Sequence, residues 1–350
     1  MSPILLELPS KVLALLAVIL AGASFVRAWA ARGRPGAKAS STPWLLLAGA
    51  WALMGLRGGA FVPRVATFRE PWVALPIYAY GTMLGTSLVL GWFVALRFAK
   101  ADGVPQEQAG AIYMWTAVWA LVGARLLYVL TNLSAFNRPG DLMATLMVQK
   151  GGMVAYGGMI GGFLASWWCC VRRKLPLLQW ADVAAPSVAL GTGITRIGCL
   201  LYGCDYGRPT DRPWALVFPN GSPAWDAHIR RGFIEPHAAG SLPVHPTQVY
   251  ESLLGFALFA LLLGVRRRRR FSGQVFLAWV IGYGIGRPLI EILRDDDQRG
   301  QVGPFSTSQA IGMTAVLLAL GLSRVLVRKH RRDPSSSRLW DKGGVRSGST

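Results

Sequence analysis

Arg196 is the residue of this sequence best placed to do chemistry, because it lies inside an apolar segment long enough to cross a membrane. The segment runs from Asp182 to Tyr202, and an arginine within such a helix costs about 2.5–3.5 kcal/mol on insertion scales. At about 1.5 Å per residue, Arg196 falls roughly 20 Å along the helix, about two thirds of the way across a hydrocarbon core of about 30 Å. We therefore expect it to face a polar cavity or an anionic partner near one membrane face.

A second candidate group lies on a later apolar segment. Tyr283, Arg287 and Glu291 are spaced four residues apart, so on a helix they stack along one face. Arg287 can pair with Glu291 in a purely structural ion pair, or it can reach across to a ligand. Planar guanidinium groups hold phosphate through paired hydrogen bonds, so the sequence leaves both interpretations open.

Counting the charges inside the apolar segments favours a ligand. Arg125, Arg196 and Arg287 lie within them, and the acidic residues near the same depth are Glu251 and Glu291. Glu251 is then the one acid left for Arg125 and Arg196. Three arginines against two carboxylates predict a site with surplus positive charge, which suits an anionic phospholipid headgroup.

The composition defines the class of protein that holds these residues. The chain has 350 residues, of which 52% are hydrophobic and only 15% charged, and it contains several apolar runs of membrane length. Its net charge of +20 is distributed in short clusters between those runs, as the positive-inside rule expects, and not on one continuous face that would bind nucleic acid. These features predict an all-α polytopic membrane protein.

Seven apolar segments of about 19 to 26 residues are long enough to cross the bilayer. They are Val73–Phe98, Gly110–Thr131, Gly152–Val171, Asp182–Tyr202, Thr247–Val265, Gly273–Leu293 and Phe305–Val327. Two further segments precede them, Val12–Trp29 and the weaker Pro43–Val62. The positive charge of the first is heavier at and beyond its far end, which favours an uncleaved helix over a signal peptide. The expected organisation is an N-terminal transmembrane extension over residues 1–70, a seven-helix membrane domain over 71–330 and a disordered tail over 331–350.

The basic clusters predict the orientation of these helices. They follow the first, third, fifth and seventh segments, at Arg97 and Lys100, Arg172–Lys174, Arg266–Arg270 and Arg328–Arg332. The positive-inside rule makes that side, and the C-terminus, cytoplasmic.

In this orientation the polar residues within the helices, Arg125, Arg196 and Arg287 among them, converge on the outer part of the membrane. The 204–245 connection also lies outside. It is longer than most loops and rich in Trp and Pro, so we expect an ordered cap.

Small residues in the helices allow simpler explanations. Gly157–Gly158 and Gly161–Gly162 permit either close helix packing or the close approach of a ligand. The four cysteines form no disulfide framework or zinc motif, so packing or polarity is their expected role.

Five motifs in order resemble those of the prolipoprotein diacylglyceryl transferases of bacterial inner membranes. They are Gly123–Tyr128, Tyr156–Gly162, Thr195–Gly203, His245–Glu251 and Gly286–Arg294, and the resemblance extends from about Pro76 to Val327. It implies transfer of a diacylglyceryl group from phosphatidylglycerol to the lipobox cysteine thiol of a preprolipoprotein signal peptide, with glycerol phosphate leaving. It also implies a site toward the periplasmic side, and we expect a monomer that needs no cofactor or metal.

The resemblance also implies roles for individual residues. Arg196 corresponds to the arginine that contacts the phospholipid phosphate, and Arg287 with Glu291 corresponds to the family's essential Arg and Glu. With Tyr156, these are the expected catalytic residues. The expected substrate-binding residues are Tyr80, Arg125, Gly203, Gly207, Tyr283, His245 and Glu251.

Three positions depart from the family's motifs. Tyr156 occupies the place of a histidine proposed to accept the thiol proton, while Thr195 and Cys199 replace a glycine and an asparagine. A neutral tyrosine with a pKa near 10 is a poor base at pH 7, so Tyr156 is either the acceptor or a hydrogen-bond donor, with the proton leaving to phosphate, Glu291 or water. A catalytically impaired paralogue that binds anionic phospholipid headgroups is the alternative function. A secondary transporter is disfavoured because no repeat is visible.

Overall fold

Helices dominate the part of the chain that the computed structural model describes, which is residues 4–9, 74–133, 152–295, 301–302 and 305–332. Seven long helices are present there, together with one short helix in the 204–245 connection. The helices are α1 (Ala79–Ala101), α2 (Gln106–Thr131), α3 (Ala155–Arg172), α4 (Leu177–Tyr202), α5 (Pro223–Arg230), α6 (Thr247–Arg267), α7 (Gln274–Glu291) and α8 (Thr307–Arg332).

Five of these helices, α1, α2, α4, α6 and α8, are long and apolar enough to cross a membrane. Helices α3 and α7 have 18 residues each; α3 is rich in glycine and tryptophan, and α7 carries Arg287 and Glu291. The prediction of an all-α polytopic membrane protein is confirmed. The two expected N-terminal helices and the tail after Arg332 lie outside the described residues.

The first long helix starts later than its hydrophobicity suggests. The sequence predicts a helix from Val73, but residues Ala74–Tyr78 form a strand, β2, that pairs antiparallel with β1 (Ile4–Pro9). Pro76 explains the difference, because the residue before a proline is disfavoured in the helical region. A second antiparallel pair consists of two short strands, β3 (Gln301–Val302) and β4 (Phe305–Ser306), and precedes α8.

The chain divides into two compact units, which we describe separately. The first contains residues 1–89, 189–261 and 280–319, and the second contains 90–188, 262–279 and 320–350.

In the second unit, glycines bring α2 and α3 into backbone contact. A methyl group added to Gly123 would collide with the Gly157 carbonyl oxygen, and one added to Gly161 would collide with that of Trp119. Such contact is typical of small residues at helix interfaces in membranes. The packing interpretation of Gly157 and Gly161 is therefore the one that the structure supports.

Buried ion pairs fix the loop ends of the second unit. Asp102 accepts two hydrogen bonds from Arg269, at 2.7 and 2.8 Å, and one from Arg266 at 2.5 Å. Asp182 accepts the backbone N–H groups of Gly273 and Phe276, which lie at the start of α7 and have no partner within that helix. These carboxylates therefore account for two of the five arginines in the 266–270 cluster.

The 204–245 connection, in the first unit, is folded. Ser222 caps α5 by accepting the Trp225 N–H at 3.3 Å, and Pro223 occupies the first helical position, where its missing N–H costs nothing. Leu216 and Val244 form a reciprocal pair of backbone hydrogen bonds. A small apolar core lies beneath, made of Tyr206, Phe218, Ala224, Ala227 and Val244.

Candidate active site

Glu251 is the centre of a network of arginines in the first unit. It lies in the first turns of α6 and is 1% exposed. One carboxylate oxygen is 2.5 Å from Arg196 Nε, and the other is 3.3 Å from Arg287 Nη1 and 3.6 Å from Arg294 Nη1. Burying a carboxylate is costly unless it is paired, and the three guanidinium groups supply that pairing.

Asp205 joins two of the same arginines from the other side. Its Oδ2 is 2.5 Å from Arg196 Nη1 and its Oδ1 is 2.5 Å from Arg294 Nη2. Burial alone would raise the pKa of Asp205, but Arg196 and then Arg294 outweigh it, and the pKa lies below its ordinary value. Asp205 is therefore a carboxylate held between two guanidinium groups, and with 26% of its side chain exposed it is the most accessible acid of the network.

Glu291 completes the network by pairing with Arg287 across one turn of α7. The ion pair between Arg287 and Glu291 that the four-residue spacing allows is therefore formed. The expected surplus of positive charge is wrong, however. Among the described residues the network contains three arginines (Arg196, Arg287 and Arg294) and three carboxylates (Asp205, Glu251 and Glu291), so its formal charge is balanced.

Two of the predicted tyrosines accompany Arg196. Tyr283, one turn before Arg287, makes a side-chain hydrogen bond with Arg196. Tyr80, in the first turn of α1, packs on Gly198, whose added methyl group would lie 3.1 Å from the Tyr80 Cα. Helices α1, α4 and α7 therefore each contribute a predicted residue to one region of the first unit.

Gly207 acts by bringing backbone segments together. A methyl group added there would lie 2.7 Å from the His245 carbonyl oxygen and 2.8 Å from that of Leu293. Its N–H donates to the His245 carbonyl at 3.0 Å, and the next N–H, of Arg208, donates to Leu293 at 2.7 Å. Only a residue without a side chain fits this approach. It places Asp205, two residues before, opposite Arg294.

Side chains at the start of α6 also hold the turn that contains Asp205. Thr247 Oγ1 donates to the Asp205 carbonyl at 2.6 Å, and Gln248 Nε2 donates to the Cys204 carbonyl at 2.7 Å. Both side chains are at most 1% exposed. Gly203 has a φ of 84°, a conformation that favours glycine, so the chain can turn here out of α4. These residues position the Asp205 carboxylate.

His245 belongs to a separate hydrogen-bonded chain. Trp214 Nε1 donates to the Tyr250 hydroxyl at 2.8 Å, and that hydroxyl is 3.2 Å from His245 Nδ1. Because the hydroxyl accepts from tryptophan, its own proton is available to the histidine nitrogen. Trp214 lies in the 204–245 connection, so this chain ties the connection to the start of α6.

Comparison with known proteins identifies the family of the chain. A family model described as prolipoprotein diacylglyceryl transferase matches residues 71–325. The chain belongs to the prolipoprotein diacylglyceryl transferase family. The resemblance seen in the five motifs is confirmed, and the chain is an enzyme of that family.

Individual relatives support the assignment. A phosphatidylglycerol–prolipoprotein diacylglyceryl transferase of Clostridium tetani is 32% identical over 246 residues, covering 70% of this chain and 92% of the relative. A Geobacter sulfurreducens protein of the same name is 34% identical, with 73% and 92% covered. A third, from Thermus thermophilus, is 33% identical, with 72% and 95% covered.

Arg125 and Tyr156 of this transferase lie in the second unit. Arg125 Nη1 donates to the Gly152 carbonyl at 2.8 Å, and its guanidinium stacks over the Tyr128 ring at 5.3 Å. The Val154 N–H donates to the Ala124 carbonyl. Together these contacts fix the segment that leads into α3, where Tyr156 is the second residue. Arg125, which is 8% exposed, therefore anchors the backbone that presents Tyr156.

Sequence reasoning missed Asp205 and Arg294. Arg294 lies three residues beyond Glu291 in the last of the five motifs, and Asp205 lies two residues beyond Gly203. Both follow the ends of their helices, at Glu291 and Tyr202. An inspection of the charged residues immediately beyond helix ends would have found them.

Proposed function

We propose that this chain transfers the diacylglyceryl group of phosphatidylglycerol to the lipobox cysteine thiol of preprolipoproteins. A carbon–sulfur bond forms at the glycerol carbon, the carbon–oxygen bond to phosphate breaks, and glycerol phosphate leaves. The observation that carries the proposal is the Asp205 carboxylate bridging Arg196 and Arg294 at 2.5 Å each. Two oxygens of one anion contact two guanidinium groups there, which is the arrangement that a phosphodiester requires.

The exposure of the acids supports an exchange of anions at this position. Asp205 is 26% exposed, whereas the Glu251 and Glu291 side chains are 2% and 4% exposed. Asp205, the most exposed of the three acids, can turn toward water while the headgroup phosphate takes its place between Arg196 and Arg294. Glu251 and Glu291 stay, because an unpaired buried carboxylate is costly.

The same arginines serve the bond-breaking step. As the carbon–oxygen bond breaks, the phosphate changes from a monoanionic diester to a monoester that carries more charge. Donors aimed at developing charge contribute about 2.7–4 kcal/mol each at comparable sites. Glu251 contacts both Arg196 and Arg294 and keeps them oriented, so neither donor needs to reorganise when the charge forms.

The thiol proton has an acceptor in the leaving group. As the carbon–oxygen bond breaks, the phosphate gains negative charge and can accept the proton that the thiol loses. Because a phosphate monoester has a second pKa near 6, it then passes that proton to water at neutral pH. In this scheme Tyr156 donates a hydrogen bond and is not the base. The reaction then proceeds without the histidine that many family members have at this position.

The partners and location follow from the same chemistry. Phosphatidylglycerol and preprolipoprotein signal peptides are the substrates, and membrane lipids surround a monomeric bundle in the bacterial inner membrane. Basic residues lie in the last turns of α1, α3, α6 and α8, which supports a cytoplasmic C-terminus and a site toward the periplasm. The 204–245 connection is the periplasmic cap of this bundle.

A defined assay tests the reaction. Purified protein is incubated with phosphatidylglycerol and a lipobox peptide, and the peptide mass is followed. The expected product carries one diacylglyceryl group as a thioether, and it is absent when the cysteine of the peptide is replaced by serine or when phosphatidylethanolamine replaces phosphatidylglycerol. Complementation of a transferase-depleted strain supplies the cellular counterpart.

The alternative, a headgroup-binding paralogue without activity, is favoured by one observation, the tyrosine at position 156. It makes a separate prediction in the same assay. A paralogue binds phosphatidylglycerol but leaves the peptide mass unchanged, and restoring the histidine with Tyr156→His then restores turnover. If the protein neither binds phosphatidylglycerol nor modifies the peptide, both proposed functions are wrong.

A further inference from the structure

Cys199 and Cys204 are brought together by the way α4 ends. The Cys204 N–H donates to the Cys199 carbonyl at 3.2 Å, and Gly203 between them has a φ of 84°. A hydrogen bond spanning six residues with a left-handed glycine is the Schellman pattern, in which the side chains at the two ends of the bond regularly touch. The sequence spacing alone, five residues, does not reveal this.

The two sulfur atoms lie close together, as is common in this pattern. Both lie within 4.8 Å of each other and of an Asp205 carboxylate oxygen, and the Cys204 thiol donates to the Cys199 carbonyl at 3.9 Å. Cys199 Sγ is also 3.9 Å from Arg196 Nη1. The thiol pair therefore borders the network that the proposed reaction uses, yet no step of that reaction requires it.

We propose that Cys199 and Cys204 are a redox-active pair that closes to a disulfide beside Arg196. The oxidant is a disulfide, of a small molecule or of a protein, met on the extracytoplasmic side. One cysteine thiolate attacks it to form a mixed disulfide and displaces one thiol. The second cysteine then displaces the other thiol. The pair loses two electrons and two protons, and the oxidant disulfide is reduced to two thiols.

Contact at a helix end is suited to this bond. A disulfide needs Cα atoms about 4.4–6.8 Å apart, and the hydrogen bond from the Cys204 N–H to the Cys199 carbonyl holds the two backbones together. Closing the bond cross-links the last turn of α4 to the residue before Asp205. It thereby restrains the carboxylate that bridges Arg196 and Arg294, and it withdraws the Cys199 sulfur from Arg196.

A metal ion is the competing ligand for two thiols and a carboxylate. The surroundings disfavour it, because the third ligand, Asp205, is already engaged by two arginines at 2.5 Å. A divalent cation would have to displace both guanidinium groups and then lie beside them, whereas a disulfide carries no charge and leaves both ion pairs in place.

The chain contains its own control in Cys169 and Cys170. These residues are 3% and 1% exposed and adjacent on α3, where neighbouring side chains do not face each other. We expect them to stay reduced under conditions that oxidise the first pair.

The test uses the full-length protein in detergent, incubated with oxidised glutathione, alkylated and digested with trypsin. Cleavage after Arg196 leaves both cysteines on one peptide. The expected product is that peptide two hydrogen masses lighter, alkylated only after a dithiol reductant is added, while Cys169 and Cys170 are alkylated without reduction. Cys199→Ser and Cys204→Ser, which keep the polarity of the site, are each expected to give a glutathione adduct on the remaining cysteine.

Three results would overturn the proposal: a lasting glutathione adduct on the native protein, both thiols still free after oxidation, or stoichiometric zinc retained through purification and lost in the serine variants. Because the readout is a peptide mass, it does not depend on transferase activity. Failure of the disulfide therefore leaves the proposed function standing, and failure of the function leaves the disulfide testable.

Discussion

Replacing Arg196 with lysine separates the geometry of the guanidinium group from its charge. Arg196 uses Nε for Glu251 and Nη1 for Asp205, at 2.5 Å each, and the two acids lie on α6 and on the turn after α4. A lysine ammonium is a single point charge on a flexible stem and cannot repeat this fixed two-nitrogen contact. We therefore expect Arg196→Lys to fail nearly as completely as Arg196→Ala.

The size of the effect follows from the bonds lost. A hydrogen bond to a charged group contributes about 1.5–3 kcal/mol, and lysine can keep one of the two, so the free energy of unfolding should fall by about that amount. Loss of one correctly aimed donor in the transition state lowers the rate by about 10²–10³-fold. The expected kcat/KM of Arg196→Lys in the peptide assay is therefore about 10²–10³-fold below that of the native protein.

Arg269→Lys is the matched control, because Arg269 also makes two short bonds to a buried acid, Asp102, but belongs to the second unit and has no role in the proposed reaction. Thermal unfolding should show a similar loss of stability in both variants, with kcat/KM nearly unchanged in the control. If Arg196→Lys keeps activity within about tenfold while Arg196→Ala is inactive, a point charge suffices and the two-nitrogen geometry is irrelevant.

Four further outcomes are expected. A reporter fused after Arg270 should read cytoplasmic and one fused at Asp226 periplasmic; the reverse pattern would contradict the orientation. A protein beginning near Arg64 should keep transferase activity if it inserts, and loss of activity in a folded product would show that the preceding residues complete the site. Tyr156→Phe should lower the rate roughly tenfold, about 1.4 kcal/mol, whereas Tyr156→His should raise it and move the pH optimum toward about 6.5; an unchanged profile would exclude position 156 from proton transfer. Burial, and then the charge of a nearby arginine, lower the pKa of His228. The unfolded state therefore binds more protons, and stability should fall as the pH drops below about 6.5, a dependence that His228→Gln should remove in thermal unfolding; an equal dependence in the variant would assign it to other groups.

The sequence predicts those features of the structure that depend on the spacing of nearby residues. The apolar segments give the seven long helices because a membrane-length apolar run has few other stable conformations. The pairing of Arg287 with Glu291 follows from their four-residue separation, which any helix enforces. The exception is the strand before α1, where the hydrophobic run extends through Pro76 and its conformation depends on pairing with residues near the N-terminus.

Contacts between distant segments are what the sequence does not predict. Asp205 meets Arg294 across 89 positions, and the contact forms because Gly207 lets three backbone segments approach one another. The left-handed turn at Gly203 then determines which way Asp205 points. No periodicity encodes either feature, since each depends on where separate helices end relative to one another.

The error in the predicted charge of the site has the same physical origin. Counting charges within the apolar segments gives a surplus of one, from Arg125, Arg196 and Arg287 against Glu251 and Glu291, yet Arg125 donates to the Gly152 carbonyl in the second unit. Asp205 and Arg294, which lie just beyond the helix ends, then add one charge of each sign to the network. Their presence alters the energetics of the proposed reaction. In a site with surplus positive charge, the whole electrostatic attraction of an incoming phosphate would contribute to binding. In a balanced site the phosphate replaces a carboxylate on the same guanidinium groups, so only the difference between the two interaction energies contributes. We therefore expect a moderate affinity for the headgroup and arginines that stay oriented throughout, which would favour stabilisation of the leaving phosphate over tight binding of the lipid.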